Sequence, residues 1–313
     1  MTRRVAAAVL TGLLLALAWC GPASAHGADA PVAADYRVVV GEVSVPGVTV
    51  RAVEGGARLE LTNESGRQVT VLGLQGEEFL RVRPGGVDEN RRSPTWFASR
   101  SLTGTARGGD AAATPEWHTI ATEPVVRWHD ERARELPARA WSVPLLVDGR
   151  EPGIVRGTIV PAPAPPTGWW WAGALVAAVL VAGLYRWRWA LVAVAVVAGG
   201  LTVAWIVDSA ALATSPADAL GTQLLARLWP LVTGAGVVAA GIGLAFRRID
   251  IVVAIAGACL AVMVGFAESA VFREGVLAGP GWGRWAVASA LAGGLGLAVA
   301  GSLRWYRTVG IDD

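Results

Sequence analysis

Residues 161–185 read PAPAPPTGWWWAGALVAAVLVAGLY, and this stretch separates two different kinds of sequence. Its proline-rich start cannot form a helix or an inner strand, because proline lacks a backbone N–H and fixes φ. The tryptophan-led apolar run at 168–185 is long enough for a membrane-spanning helix at about 1.5 Å rise per residue. We therefore predict a polyproline-type linker at 161–167, with a different domain on each side.

The sequence after the linker is strongly apolar and contains few charges. The whole chain is 53% hydrophobic and 17% charged, and most of the apolar excess lies in this half. Charged residues flank the apolar segments and avoid their middles, as in transmembrane helices. We predict a bundle of five transmembrane helices within 168–307, followed by a tail at 308–313. The predicted spans are 168–185, 187–207, 228–246, 249–267 and 285–303.

Small residues at intervals of four predict how two of these helices pack. Ala235, Ala239 and Gly243 would form one flat face, and the series Ala292-Gly296-Ala300 would form another. Such faces allow close approach of helix backbones in a membrane. No histidine lies in a predicted span and no Asp, Glu or Arg lies near the middle of one, which argues against active transport.

The sequence before the linker is typical of an all-β domain. Short alternating runs rich in β-branched residues, such as ARLELTN at 57–63 and AWSVPLLV at 140–147, are separated by Gly, Pro, Asn and Asp turns. About eight such runs lie between residues 36 and 160. We predict an immunoglobulin-like β-sandwich within 26–160.

The N-terminus predicts export of this domain. Arg3 and Arg4 precede the apolar run Val5–Trp19, and Ala23-Ser24-Ala25 offers the small residues of a signal-peptidase site. We interpret 1–25 as a cleaved signal peptide, with an uncleaved anchor as the alternative. Arginines cluster at the 186–188, 247–248 and 304–307 connections, which predicts a cytoplasmic C-terminus in a multi-pass protein of the bacterial plasma membrane.

The charge of the exported part is almost balanced. Residues 26–167 contain 16 arginines against 18 aspartates and glutamates, without a basic stripe. This excludes nucleic acid as a partner. The predicted partners are the lipid bilayer and another membrane or exported protein.

Three histidines offer the sharpest chemical hypothesis. Cleavage after Ala25 would make His26 the first residue, where its amine and imidazole could chelate Cu(II) and recruit His129 or His118. The alternative is that His129 has a structural role and binds no metal. Strand alternation predicts that Trp128 packs inward and that His129 faces outward without a committed partner.

The residues around His129 also form a candidate surface site, made of Trp128, Asp130 and Glu131. A catalytic triad there would need a nucleophile such as Ser93 or Ser142, but no glycine-flanked nucleophile turn surrounds either serine. We therefore predict that the protein is not an enzyme.

A resemblance to a known group of proteins rests on three features of the sequence. They are GVDENRRSPTWFASR (86–100), PEWHTIATEPVVRWHDERA (115–133) and the tryptophan-led span that follows them. The chain resembles uncharacterised actinobacterial membrane proteins in which an exported β-domain with a Trp-His-Asp-His-Arg signature precedes transmembrane helices. Trp128-His129-Asp130 matches the signature, whereas Glu131 stands where the second histidine is usual. The architecture is also similar to that of bacterial copper-resistance proteins with a periplasmic copper-binding domain, which implies copper as the alternative cofactor.

Together these observations predict a non-enzymatic, membrane-anchored extracytoplasmic binding or accessory protein without a cofactor. Copper handling through His26, His118 and His129 is the alternative.

Overall fold

The computed structural model describes residues 33–100, 107–134, 137, 139–216 and 219–309. The predicted signal peptide and His26 lie outside these residues. An antiparallel β domain comes first and a helical domain follows it, in the order that the sequence predicts. The strands are β1 Tyr36–Val43, β2 Val48–Val53, β3 Arg58–Asn63, β4 Val69–Leu72, β5 Glu78–Arg83, β6 Gly86–Asn90, β7 Trp117–Ala121, β8 Val125–Trp128, β9 Arg139–Val147 and β10 Glu151–Pro161.

The strands form two antiparallel sheets. The larger has seven strands in the order β1-β10-β9-β4-β5-β6-β7, and the smaller has three in the order β2-β3-β8. Buried side chains of both sheets belong to one hydrophobic core, in which Leu59 and Leu61 of the small sheet join Val143 and Leu145 of the large one. The alternation along β9 produces this core, because every second residue of a strand faces the same side.

The immunoglobulin-like arrangement is not confirmed, because a sheet of seven strands with one of three differs from the four-plus-three layout of that fold. The structure has ten strands where the sequence predicts about eight. The two additional strands, β6 and β7, were missed because β6 (GVDEN) is polar and β7 (WHTIA) is short. Asp88 can lie buried in β6 because Arg81 and Arg83 pair with it.

The helical domain begins at Thr167, after five residues that connect it to β10. Its helices vary widely in length, and a short helix in the β domain precedes them. The helices are α1 Pro94–Ser99, α2 Thr167–Gly183, α3 Arg188–Ala213, α4 Leu220–Ala226, α5 Leu228–Phe246, α6 Asp250–Leu260 and α7 Gly283–Val309.

Four helices of the described chain are long and apolar enough to cross a membrane: Thr167–Arg186, Arg188–Ala213, Leu228–Phe246 and Gly283–Thr308. The predicted count of five is not confirmed. The segment predicted at 249–267 is a shorter apolar helix, Asp250–Phe266, in which the α-helix ends at Leu260 and continues as a π-helical turn at Ala261–Phe266.

The most buried long helix is α7, which packs against α2, α3 and α6. Its predicted small-residue face is confirmed, since Ala292, Gly296 and Ala300 are all buried. The predicted face of α5 is wrong by one position: Ala235 and Ala239 are exposed, and the neighbouring small residues are buried instead. The buried residues of α5 are Pro230, Gly234, Val237, Ala240, Gly241 and Leu244.

Candidate functional site

A cleft of about 410 Å³ opens in the β domain between the small sheet and the end of the large one. β8 is an edge strand of the small sheet and β7 is an edge strand of the large sheet. The cleft therefore lies beside one edge of each sheet. The lining residues come from both sheets and from α1. They are Arg58, Phe79, Leu80, Glu89, Trp96, Ser99, Arg100, Ile120, Val126, Arg127, Trp128 and His129.

A buried carboxylate fixes the position of α1 beside the cleft. Ser93 is the N-cap of this helix and Pro94 occupies its first turn, which is a favourable start for a helix. Glu77 accepts hydrogen bonds from the Ser93 hydroxyl at 2.7 Å and from the Thr95 backbone N–H at 3.1 Å. Burial would raise the pKa of Glu77, but the hydrogen bonds from Ser93 and Thr95 hold it below its usual range. Ser93 is thus the N-cap of α1, and its hydroxyl is hydrogen-bonded to a buried carboxylate.

Helix α1 brings Trp96 and Arg100 to the cleft. The Arg100 guanidinium lies 4.8 Å from the centre of the Trp96 ring, in a cation–π contact. The indole Nε1 of Trp96 is buried, and no hydrogen-bond acceptor contacts it within the described part of the chain. A buried N–H without an acceptor is energetically unfavourable.

His129 lies in the wall of the cleft with both ring nitrogens engaged. Its Nδ1 is 2.7 Å from the carbonyl oxygen of Ala57, and its Nε2 is 3.1 Å from Nε of Arg58. A carbonyl oxygen can only accept, so Nδ1 donates and Nε2 accepts from Arg58. This arrangement corresponds to a neutral imidazole that orients a guanidinium.

Behind this wall lies a buried ionic cluster, which we define as Glu54, Arg58, Glu60, Arg127 and His129. Nε of Arg127 donates to Glu60 at 2.6 Å, and Glu54 lies 3.5 Å from Arg58 and 3.9 Å from Arg127. Glu54 adopts a left-handed conformation, with φ of 54°, in the turn between β2 and β3. Non-glycine residues rarely adopt this conformation, and such strain is often found at functional sites.

The ionic cluster connects the β domain with the helices. Arg127 donates to the carbonyl oxygen of Ala213 at the C-terminus of α3, at 2.8 Å. On the helical side, Arg227 is buried and donates to the carbonyl oxygen of Gln223 at 3.1 Å. Burial lowers the pKa of Arg227, while the negative charges of Glu54 and Glu268 oppose this effect.

Opposite charges stabilise the ionised state of the cluster. Burial would raise the pKa of Glu60, but hydrogen bonds from Arg51 and Arg127, and their positive charges, hold it below its usual range. Glu60 therefore stays a carboxylate next to Arg127. Such pairs need both partners, because removing one leaves an uncompensated buried charge.

The polar groups of the cleft are mainly hydrogen-bond donors. Arg58, Arg100 and Arg127 line it; Arg58 and Arg127 already pair with Glu54 and Glu60, whereas Arg100 contacts the Trp96 ring. Glu89 is the acidic residue of the lining, and its carboxylate accepts a hydrogen bond from Nε of Arg91 at 3.0 Å. The cleft is therefore suited to a ligand that carries negative charge.

The structure describes two of the three predicted metal ligands, His118 and His129. His118 pairs with Glu116 at 3.0 Å and does not line the cleft, whereas His129 does. Within the described ranges, no group of three or more His, Cys, Asp or Glu side chains could hold a metal ion. His26 lies outside those ranges, so the copper hypothesis stays a prediction.

The candidate surface site at Trp128, Asp130 and Glu131 is only partly at the surface. Glu131 is exposed, but Trp128 and Asp130 are buried at 4% and 3% exposure. Asp130 accepts hydrogen bonds from the Trp128 indole at 2.9 Å and from Nε of Arg132 at 2.8 Å. Trp128 and Asp130 therefore hold the cleft wall together.

The predicted outward exposure of His129 is also wrong. Trp128 packs into the shared core, as alternation predicts. His129 is nevertheless only 6% exposed, because Arg58 and the Ala57 carbonyl cover it. Alternation predicts which side of a sheet a residue faces, but it does not predict whether that side is covered.

Sequence reasoning missed α1 and its cleft residues, although a signal was present. Ser93 followed by Pro94 is a helix-start pattern, and the following TWFASR places Trp96 and Arg100 four residues apart on one helical face.

No known protein family, curated protein or solved structure matches this chain.

Proposed function

We propose that the protein is a non-enzymatic binding protein anchored in the bacterial plasma membrane, and that its exported β domain binds an anionic ligand in the cleft. The observation that carries this proposal is the pair of Trp96 and Arg100 in the lining of the cleft. The buried Trp96 indole has no acceptor within the described chain, and Arg100 lies over the same ring. A carboxylate or phosphate group would accept from Arg100, and from the Trp96 indole once that side chain turns toward the cleft.

The apolar exterior of the helices supports membrane insertion. Large hydrophobic side chains on α2 face outward, including Val176, Val179 and Leu180, which are 60%, 71% and 67% exposed. Such a surface is unfavourable in water and favourable against lipid tails.

A fifth membrane crossing by Asp250–Phe266 is part of this proposal. Its 17 residues reach about 25 Å at 1.5 Å per residue, somewhat less than the hydrocarbon core of about 30 Å. Local thinning of the bilayer accommodates such a difference at modest free-energy cost. Five crossings place the C-terminus on the opposite side of the membrane from the β domain, and the arginine-rich connections favour the cytoplasm for that side.

An accessory role follows from the position of Arg127, which lies between the cleft and the helical domain. This residue lines the cleft and also donates to Ala213 of the helical domain. A ligand that binds Arg127 therefore contacts a residue that helps to hold the two domains together. Occupancy of the cleft can thus alter how the helices meet a partner in the membrane.

The test is calorimetric titration of the full-length protein in neutral detergent with an acetylated tetra-aspartate peptide, with tetra-lysine as the opposite charge. We expect tetra-aspartate to bind and tetra-lysine not to bind. Arg100→Gln and Trp96→Phe should each weaken binding by about tenfold, because each removes a hydrogen bond to a charged group.

The matched control is Arg150→Gln, which removes an exposed arginine from the turn between β9 and β10. It should leave the affinity unchanged. Equal binding of tetra-lysine, or unchanged affinity in both cleft variants, would contradict the proposal.

A further inference from the structure

A second cavity, of about 450 Å³, lies at the opposite end of α2 from the β domain. Three connections of the helical domain meet there: the turn after α2, the turn between α5 and α6, and the end of α7. The lining consists of five arginines, one carboxylate and two hydroxyl-bearing residues: Arg186, Arg188, Arg248, Arg304, Arg307, Asp250, Tyr185 and Thr308.

The one carboxylate among the described lining residues, that of Asp250, is already paired with an arginine. Asp250 is buried and accepts a hydrogen bond from Nε of Arg304, which also donates to the carbonyl oxygen of Tyr185 at 3.0 Å. Arg304 and Asp250 thus compensate each other's charge. The other four arginines line the cavity without a second carboxylate among its described lining residues.

Contacts with aromatic rings hold two of these arginines in place. The Arg307 guanidinium lies 4.6 Å from the centre of the Tyr185 ring, and that of Arg188 lies 5.2 Å from the Trp189 ring. Four like charges around one cavity repel each other unless an anion lies between them. Arg186, Arg248 and Arg307 are exposed and Arg188 is half-buried, so the cavity is an open basic site that an anion can enter.

Exposed tryptophans show the depth at which this cavity would lie in a membrane. Trp187, Trp189 and Trp305, at the same end of the helices, are 68%, 64% and 44% exposed. Exposed tryptophans of membrane proteins concentrate at the level of the lipid headgroups. The arginines of the cavity thus lie at the depth of lipid phosphates.

We propose that this cavity binds the phosphate of an anionic phospholipid headgroup. Guanidinium groups bind phosphate oxygens through paired hydrogen bonds, and basic pockets between membrane helices are suited to headgroups with more than one phosphate. A headgroup with two phosphates binds more tightly than one with a single phosphate, because four arginines remain to be neutralised. The site needs the membrane insertion proposed above but is independent of the ligand in the β-domain cleft.

The test uses the full-length protein in neutral detergent and measures lipid binding by native mass spectrometry and by the thermal unfolding temperature. The probes are phosphatidylcholine, phosphatidylglycerol, cardiolipin with its two phosphates, and inorganic phosphate. Binding and stabilisation should increase from phosphatidylglycerol to cardiolipin. Phosphatidylcholine and inorganic phosphate should have little effect, which separates a lipid headgroup from free phosphate.

The decisive variant is Arg186→Gln combined with Arg248→Gln, which keeps the Asp250–Arg304 pair. It should weaken cardiolipin binding by about tenfold or more, since each arginine near lipid phosphate contributes appreciably. Arg273→Gln, an exposed arginine at the other end of the helices, is the matched control and should bind normally. Unchanged cardiolipin binding in the double variant would overturn the proposal, as would equal effects of phosphatidylcholine or free phosphate.

A second control addresses the acidic C-terminus, Asp312 and Asp313, which follows α7 in the sequence. Changing both residues to asparagine should leave cardiolipin affinity unchanged. A tenfold increase would show that the tail occupies the cavity, and would overturn the lipid proposal.

Discussion

Asp88 shows how a single residue allows a polar strand to lie in the middle of a sheet. This carboxylate is 2% exposed and accepts hydrogen bonds from Arg83 at 2.8 Å, from Arg81 at 3.0 Å and from Thr119 at 2.7 Å. Burial would raise its pKa, but these partners lower the pKa to about 2. The folded protein therefore favours the ionised form more than the unfolded chain does.

This depressed pKa predicts a dependence of stability on acid. The contribution of Asp88, about 2 kcal/mol, is fully present above pH 4 and is lost as the pH falls from about 4 to about 2, where the folded-state carboxylate takes up its proton. Asp88→Asn should lower the free energy of unfolding at neutral pH and remove this part of the acid dependence. Tryptophan fluorescence during unfolding at several pH values measures both effects.

Glu42→Gln is the control for Asp88. Glu42 pairs with Arg156, but both side chains are more than half exposed. An exposed pair contributes little to stability, so this change should alter it only slightly. If Asp88→Asn were as mild as Glu42→Gln, the buried pair would not stabilise the strand.

The same residue explains a limit of prediction from sequence. The pattern GVDEN at 86–90 indicates a loop, because Asp and Asn are depleted in strands. The arginines that compensate Asp88 lie on the neighbouring strand, and one sequence does not show which strands pair. Trp128 was predicted correctly as a core residue, whereas the cover over His129 depends on Arg58, 71 residues away.

At the scale of elements, close contact between helix backbones holds the helical domain together. A Cβ atom at Gly257 of α6 would lie 2.7 Å from the carbonyl oxygen of Gly294 and 2.8 Å from the backbone nitrogen of Ala298, both on α7. These distances are shorter than real Cβ contacts, so the helices must separate to accept a methyl group. Small residues of this kind permit tight association of membrane helices.

Gly257→Ala should therefore destabilise the protein by about 1–3 kcal/mol through overpacking. The matched control is Gly236→Ala on α5, where a Cβ atom would meet nothing within 4 Å. There alanine should be neutral or stabilising, because it favours a helix over glycine. Thermal unfolding in detergent compares the two variants, and equal unfolding temperatures would contradict tight packing of α6 against α7.

The sequence predicted some helices more accurately than others. Long apolar runs predicted the four long helices well, since chain length and hydropathy alone decide them. The π-helical turn at Ala261–Phe266 has no comparable signal and was not predicted, and the helix that contains it, Asp250–Phe266, is two residues shorter than the predicted segment. The buried face of α5 was shifted by one residue because small residues occur on several sides of this helix.

At the scale of the whole molecule, the β domain rests directly on the helical domain. Ala34 and Val276 exchange backbone hydrogen bonds of 2.9 Å, and Arg127 reaches Ala213. Gly55 lies so close to Leu277 that a Cβ atom there would be 3.0 Å from its carbonyl oxygen. The cleft, the ionic cluster and the helices thus form one connected structure, a connection that sequence patterns within each half do not reveal.

The proposed function depends on the two ends of this structure lying on opposite sides of a membrane. Labelling of single cysteines with a membrane-impermeant maleimide tests this directly, in a Cys20→Ala, Cys259→Ala background. The reporter positions are Arg150→Cys in the turn between β9 and β10, and Arg247→Cys between α5 and α6, both exposed. We predict that Arg150→Cys is labelled in intact cells and that Arg247→Cys is labelled only after the membrane is permeabilised. Labelling of Arg247→Cys in intact cells, or protection of Arg150→Cys, would contradict an exported binding domain.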